Sequence, residues 1–341
     1  MYKELILIMK KVSIITPCLN GEKFLDRYFN CILNQTYNNL ELIFINDGST
    51  DKTDMIVQSF IPKFKNKNID FIYINKKNNE GQAKAIDETL KLFTGDYFIW
   101  PDSDDILDSK SIEKRVEFLE KNKEYGMVRS NANVVDEENL NQVLNRFEQI
   151  PDRNENIFYD LVMEKLYMCC GCYMIRSSCF FEMNKERSIY TGNSGQNWQI
   201  VLPVAYKYKC GYIDEPLYSY VIRKGSHSRN LQDFKTKIER SYEHEKTLLE
   251  TITRIDMSRL DLDKYKNLIE EKYLRQRFMM AYSNDKRELM KKNYFELLSK
   301  YSVTQQEKQL YLLKKNKLSN ILTRIYLKII KLLGRENDKD R

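Results

Sequence analysis

Hydrophobic positions in the first hundred residues alternate between short continuous runs and longer stretches at helical spacing. The continuous runs, rich in β-branched and aromatic side chains as buried strands are, lie at residues 12–16, 40–45, 71–74 and 97–100. The stretches at helical spacing lie at residues 22–33, 53–60 and 83–93. We expect Pro17 to stop the first strand. Strands that alternate with helices in this way predict an α/β fold with a parallel sheet.

Polar residues follow each predicted strand. The carboxyl ends of parallel strands share one edge of a sheet, and ligands bind there. The positions expected at this edge are Pro17, Asp47, residues 79–81 and residues 102–104. The carboxylates of Asp102, Asp104 and Asp105 would repel one another, and Mg²⁺ or Mn²⁺, which take oxygen ligands, would relieve that repulsion. An acid-rich turn that caps the next helix is the alternative.

Beyond residue 110 the pattern changes. Residues 112–121 predict an amphipathic helix, residues 126–132 a strand and residues 133–142 a polar excursion. Residues 169–175 contain three cysteines but lack a second cysteine pair and a nearby histidine, so zinc spacing is absent. We expect a buried strand with small thiol side chains there.

The last third of the chain is polar and predicts helices at residues 234–255, 264–284 and 286–298. These helices can support a homodimer or dock a partner. A final stretch at residues 318–333 has an apolar stripe flanked by basic residues, which indicates either contact with a membrane surface or packing on the protein's own core. We therefore expect two parts, residues 1–230 and residues 231–341.

Composition and charge favour a folded protein and give no indication of nucleic-acid binding. A content of 42% hydrophobic and 31% charged residues is typical of a folded protein. The net charge of +7 is too small to indicate nucleic-acid binding. Seven irregularly spaced cysteines and an opening segment without a signal cleavage site predict reduced thiols in the cytoplasm. No stretch reaches the roughly 18 continuous apolar residues of a spanning helix, so we expect at most peripheral attachment to the inner face of the cell membrane.

Four motifs resemble, in order and spacing, those of the family 2 glycosyltransferases with the GT-A fold. They are residues 14–20 (IITPCLN), 45–51 (INDGSTD), 79–81 (NEG) and 102–105 (DSDD). The resemblance is strong over residues 11–110 and looser to about residue 230. It implies a Rossmann-like nucleotide-binding sheet flanked by helices, followed here by a C-terminal helical appendage.

The resemblance also implies a role for each matching position. Pro17 and Asn20 would line the nucleotide pocket, and Asp47 would accept a hydrogen bond from the base. Asp102 would lie against the ribose or the metal and take part in catalysis, and Asp104 would coordinate Mg²⁺ or Mn²⁺. His227 would be a second metal ligand. The other positions implied to contact the nucleotide sugar are Glu22, Gly81, Ser103 and Arg223.

The main departure from the family pattern lies at Gln196 and Asn197. In most relatives an acidic pair precedes the tryptophan, and its aspartate is the general base; amides do not titrate near neutral pH and cannot take that role. A subfamily carries Gly-Gln-Asn-Trp here, and the two amides would then serve catalysis by hydrogen bonding to the donor or acceptor. A helix start with Trp198 in the core is the alternative. The carboxylates that could replace the base are Glu182, Glu186 and Asp214, unless the acceptor is acidic enough to need none.

We therefore expect an enzyme that transfers a sugar from a nucleotide diphosphate sugar, with UDP-sugars favoured, to a hydroxyl of a surface glycan or lipid-linked glycan, by inversion and with a metal ion. The alternative is a non-catalytic nucleotide-sugar-binding or scaffold subunit of a glycan-assembly complex, which the missing acidic pair favours. A nucleotidyltransferase would need a glycine-rich basic loop after the first strand, and residues 16–22 do not supply one.

Overall fold

The computed structural model describes residues 9–147, 154–192, 195–223 and 233–314. The chain forms two compact units. The first comprises the described part of residues 1–230 together with residues 246–265, and the second the described part of residues 231–245 and 266–341.

The first unit is built on a mixed sheet of nine described strands. They are β1 Val12–Cys18, β2 Leu40–Asp47, β3 Asp70–Lys76, β4 Tyr97–Ile99, β5 Ile106–Leu107, β6 Tyr125–Asp136, β7 Asn139–Phe147, β8 Tyr173–Arg176 and β9 Lys209–Ile222. The spatial order is β3-β2-β1-β4-β8-β6-β9-β5, with β7 paired to β6. Strands β1 to β4 are parallel, and β8 runs antiparallel between β4 and β6. The carboxyl ends of β1, β2 and β4 therefore meet at one edge.

Helices cover this sheet because each presents an apolar face. Those of the first unit are α1 Leu25–Leu33, α2 Thr53–Asn66, α3 Gln82–Thr89, α4 Ser111–Lys121, α5 Phe158–Val162, α6 Ser177–Met183 and α7 Gln196–Lys207. The Phe29 ring of α1 illustrates the packing, since it lies 5.0 Å from the Phe44 ring of β2 and 5.1 Å from the Phe60 ring of α2. All three side chains are fully buried, which anchors both helices on one face of the sheet.

The predicted alternation of strands and helices is confirmed, but three local predictions were wrong. Pro17 does not stop β1, which continues to Cys18. Proline has no amide N–H to donate to a neighbouring strand. Strand β4 pairs with β1 only over residues 12–14, so a proline at position 17 costs no hydrogen bond to β4. Residues 133–142 are not a polar excursion but complete β6 and begin β7. The side chains of β7 are mostly exposed, which explains its polar sequence.

The third correction concerns the cysteine-rich stretch. Cys170–Cys172 forms a 3₁₀ turn, and the strand begins only at Tyr173. Gly171 is packed so tightly that an added Cβ would lie 1.9 Å from an atom of the Tyr218 ring. The expected burial of the thiols is confirmed, since Cys169, Cys170 and Cys172 are all buried.

The four remaining described helices are α8 Phe234–Thr253, α9 Arg259–Ser283, α10 Arg287–Lys300 and α11 Gln305–Lys314. In the second unit, Phe278, Leu297 and the stacked rings of Tyr294 and Tyr311, 4.0 Å apart, form a core between α9, α10 and α11. None of the described helices is both long and apolar enough to cross a membrane. The predicted helix at residues 318–333 lies outside the described residues.

Candidate active site

Two loops at the carboxyl edge of the sheet, one after β1 and one after β2, are joined by hydrogen bonds. The backbone amide of Asn20 donates to Ser49 Oγ over 2.8 Å, and Asn20 Oδ1 accepts from the amide of Thr50 over 2.9 Å. The amide of Glu22 donates to Asp51 Oδ2 over 2.9 Å. Asn20 and Glu22, both predicted to contact the nucleotide sugar, thus also hold these two loops in a fixed relation.

Asp47 ends β2 and is nearly inaccessible, with 3% of its surface exposed. Its Oδ2 accepts from the backbone amide of Gly81 over 2.8 Å and its Oδ1 from the amide of Glu80 over 3.2 Å. Lys76 Nζ lies 3.3 Å from Oδ1. Asp47 and Gly81, both predicted to contact the nucleotide sugar, are therefore in direct contact, and Pro17 is buried in β1 beside them, paired with Ile45 of the same strand as Asp47.

The loop after β4 carries the acidic cluster. Asp102 accepts hydrogen bonds from Gln82 Nε2 over 2.9 Å and from the thiol of Cys170 over 3.1 Å. Burial, followed by the negative charge of Asp104, raises the pKa of Asp102 to about 6. Ser103 is buried next to the thiol of Cys18, the last residue of β1.

Asp105, the last acid of the motif, has only 2% of its surface exposed. Its Oδ2 accepts from the Tyr218 hydroxyl over 2.7 Å, and its Oδ1 accepts from the amide of Val221 over 2.8 Å. Burial and then the charges of the two neighbouring aspartates raise the pKa of Asp105 well above its usual range. Asp105 thus ties the acidic loop to β9.

Two arginines converge on Asp104. Arg223 at the end of β9 forms an ion pair with the Asp104 carboxylate, and its guanidinium lies 4.7 Å from the centroid of the Phe24 ring. Arg27 of α1 donates from Nη2 to the backbone carbonyl of Asp104. The structure therefore brings Arg223, which was predicted to contact the nucleotide sugar, to the acidic loop, and it adds Arg27, which none of the sequence motifs marks.

The chemistry of this loop fits a hard divalent cation. Asp102 and Asp104 offer carboxylate oxygens one residue apart, and Mg²⁺ in nucleotide sites commonly takes one or two carboxylates and completes its shell with water and substrate phosphates. Across the described ranges, no three or more His, Cys, Asp or Glu side chains are arranged to hold a metal ion by themselves. His227, the second predicted ligand, lies outside the described residues.

Helix α7 brings its first residues to the same edge. Gly195, with φ of +78°, precedes Gln196, and an added Cβ would lie 2.9 Å from the Trp198 ring. Asn197 Oδ1 accepts from the indole N–H of Trp100, directly after β4, over 2.9 Å. The helix start with Trp198 in the core, one of the two alternatives, is thus present. Asn197 nevertheless contacts Trp100, which lies two residues before Asp102 of the acidic motif.

The carboxylates considered as replacement bases lie elsewhere. Glu182 bonds Lys207 and Tyr208, and Lys207 ends α7 about 15 Å along the helix from Asn197. Glu182 also lines a separate cavity of about 750 Å³ whose walls include Phe158 and Tyr206 and none of the predicted site residues.

Asp214 accepts from Asn131 Nδ2 over 2.8 Å and from the Tyr212 hydroxyl over 3.0 Å, and Glu186 is exposed. None of these three carboxylates makes a described contact with the acidic loop. The geometry therefore assigns no replacement base among them.

Comparison with known proteins defines the class. Residues 13–182 match the family model of glycosyl transferase family 2. An uncharacterized glycosyltransferase of Haemophilus influenzae is 39% identical over 114 residues, which are 33% of this chain and 44% of that protein. The chain spans between 31% and 44% of the length of three such curated relatives.

Solved structures agree on the fold. Residues 1–349 of S. aureus TarS in complex with UDP-GlcNAc superpose with a TM-score of 0.59 at 16% identity, covering 89% of this chain and 79% of that one. The mannosyltransferase PcManGT from Pyrobaculum calidifontis, in complex with GDP-Man and Mn²⁺, gives 0.52 at 13% identity, covering 94% and 89%. The first unit has the GT-A fold, and its residues 13–182 are those that match the glycosyl transferase family 2 model.

Proposed function

We propose that the protein transfers a sugar from a nucleotide diphosphate sugar to a hydroxyl of a glycan or lipid-linked glycan. The observation that carries the proposal is the meeting of the loops after β1, β2 and β4, with Asp47, Asp102 and Asp104 among them, at the carboxyl edge of a GT-A sheet. We place UDP-sugars first among the donors. The UDP-GlcNAc complex of TarS supports testing that class before GDP-sugars.

Asp104, with Asp102 beside it, would hold Mg²⁺ or Mn²⁺, and His227 is the further proposed ligand. Such an ion neutralises the diphosphate as it departs. The Mn²⁺ in the PcManGT complex supports this choice. Arg223 lies at Asp104 in an ion pair, where its guanidinium can also bind phosphate oxygens.

Asn197 is proposed to bind a substrate oxygen. Its carbonyl accepts from the Trp100 indole, so its amide N–H groups remain to donate to a sugar hydroxyl. Gln196, one residue earlier at the start of α7, would assist as a second amide. The geometry of direct displacement would invert the anomeric carbon, with the acceptor proton passing to a group other than these two amides.

We further propose that residues 1–230 carry this activity, that residues 231–341 support dimerisation or a partner, and that residues 318–333 attach the protein to the inner face of the cell membrane. The basic apolar-striped sequence of that last stretch supports the attachment. A liposome co-sedimentation assay with and without anionic lipid would test it; equal sedimentation of the full chain and a variant with neutralised lysines in this stretch would contradict it.

The decisive experiment pairs binding with turnover. Nucleotides and nucleotide sugars are titrated with and without Mn²⁺, and a specific ligand raises the melting temperature by mass action. Sugar transfer is then measured for the wild type and for Asp104→Ala, which we expect to lose metal-dependent turnover. Asp26→Ala, which removes an exposed carboxylate from α1, is the matched control and should retain it.

The scaffold alternative predicts a different result. The amides at Gln196 and Asn197 favour it, because the usual base is missing. Specific binding of a nucleotide sugar without transfer to any acceptor, including water, would support a non-catalytic subunit. Unchanged turnover in Asp104→Ala would instead refute the assignment of the site.

A further inference from the structure

Arg27 occupies a position in the site that none of the motifs marks. It lies in helix α1, and its Nη2 donates to the backbone carbonyl of Asp104. Arg223 reaches the same residue from the end of β9 and pairs with its carboxylate. One aspartate of the acidic motif is thus contacted by two guanidinium groups that come from opposite ends of the domain sequence.

Each guanidinium retains an unused donor. Arg27 Nε and Arg223 Nε are both buried, and neither has a hydrogen-bond partner among the described residues. Buried N–H groups that lack an acceptor are rare because the loss of water is not compensated. Five arginine Nε atoms of the described residues lack an acceptor, and those of Arg27 and Arg223 belong to side chains that contact the acidic loop, where a ligand oxygen can supply it.

The arrangement selects the class of that ligand. A guanidinium presents N–H groups in a planar fork that matches two oxygens of a phosphate or carboxylate. Two such forks beside one carboxylate suit an anion with several oxygens. Within the proposed function, the diphosphate of the donor is the substrate group with this character.

We propose that Arg27 is a binding residue for the donor diphosphate and acts beside Arg223. Its Nη2 remains on the Asp104 carbonyl, which fixes the guanidinium, while Nε donates to a phosphate oxygen. This inference rests on the proposed function, since it presupposes a nucleotide diphosphate at this edge of the sheet.

The test compares a nucleoside diphosphate with its nucleoside in the same variant. Dissociation constants of UDP and uridine, and of GDP and guanosine, are measured by calorimetry on the full chain carrying Arg27→Gln or Arg27→Lys. Lys23→Gln is the matched control, because it removes one positive charge from an exposed position four residues earlier. The ratio of the two affinities within one variant cancels any loss of folded protein.

We expect Arg27→Gln to weaken binding of the preferred diphosphate by about 10- to 100-fold, the loss of one charge-assisted hydrogen bond, with nucleoside affinity unchanged. Arg27→Lys should fall between Arg27→Gln and the wild type, and Lys23→Gln should remain within about twofold of wild type.

A parallel loss of diphosphate and nucleoside affinity, or no loss of either, would overturn the assignment of Arg27 while leaving the proposed function intact. A wild-type protein that binds none of the four probes would overturn the proposed function itself.

Discussion

Replacing Asn197 by aspartate introduces the acid that the family resemblance implies before this tryptophan and keeps the size of the side chain. The side chain keeps its shape, and its Oδ1 still accepts from the Trp100 indole. A carboxylate in the first turn of a helix gains about 0.3–1 kcal/mol, and a charged acceptor roughly doubles the strength of a neutral hydrogen bond. Partial burial of the new charge offsets part of this gain. We therefore expect the free energy of unfolding to rise by no more than about 1 kcal/mol.

Turnover should change in the opposite direction. The variant loses an amide donor to the substrate and places a negative charge near the incoming hydroxyl and the diphosphate. Together these effects should cost about 1.4–2.8 kcal/mol in the transition state, which is a 10- to 100-fold loss of kcat/KM. If the reaction instead lacked only a general base at this position, aspartate would raise the rate by about 10²–10⁴-fold. The two expectations differ in sign.

The assay measures nucleotide release with donor and acceptor at several concentrations, alongside thermal melting of the same samples. Asn197→Ala serves as the reference, since it removes the amide without adding charge and should also lose activity. A gain of turnover in Asn197→Asp over wild type would refute the proposal that the amide binds substrate.

Two further predictions concern the scaffold of the site. Glu41 in β2 is buried; burial alone would raise its pKa, but hydrogen bonds from Ser13 and Thr94 outweigh this and lower the pKa of Glu41 below its usual range. The carboxylate therefore stabilises the fold above the unfolded pKa, and that stability is lost as pH falls through the lower folded pKa. Glu41→Gln should lower the free energy of unfolding, measured by chemical denaturation, by about 2–4 kcal/mol at pH 7 and by much less at pH 3. The control Glu117→Gln, at an exposed position, should lower it by under about 0.5 kcal/mol. An equal loss for Glu41→Gln at both pH values would contradict this. Gly48 has φ of +74°, and an added Cβ would lie 2.4 Å from the backbone of residue 78, while Gly81, with φ of +94°, has no described atom within 4 Å of that position. Gly48→Ala should thus lose clearly more stability than Gly81→Ala, whose cost is backbone strain of about 1 kcal/mol, and equal melting temperatures would refute the contact.

The sequence located the elements whose burial is periodic. Strands β1, β2 and β4 are continuous apolar runs because both of their faces are covered, whereas β3, at the edge of the sheet, is only partly buried. Helix α1 shows its buried face as Leu25, Tyr28, Phe29 and Ile32. Strand β7 was not predicted because its side chains are mostly exposed, so its sequence shows no apolar alternation. The edge at which the polar loops meet followed from the parallel order alone.

The partners of the site residues could not be predicted in the same way. Periodicity reports which face of an element is buried, but it carries no information about which distant side chain lies opposite. The bond from Trp100 to Asn197 and the thiol of Cys170 at Asp102 join residues 97 and 68 positions apart. Arg27 lies within a polar helix face where charged residues are ordinary, so nothing in the local sequence distinguishes it.

The two hydrogen bonds from β9 to Asp105 have a consequence for how the protein is made. Asp105 is synthesised before its partners Tyr218 and Val221, which lie 113 and 116 residues later in the chain. At a synthesis rate of about 5–20 residues per second, roughly ten seconds separate the emergence of the acid from that of its partners. A chain released early, after residue 182, would contain all four nucleotide motifs and the whole family match, yet its acidic loop would lack the strand that holds it. During synthesis, the chain therefore contains all four motifs before it contains the strand that completes the site.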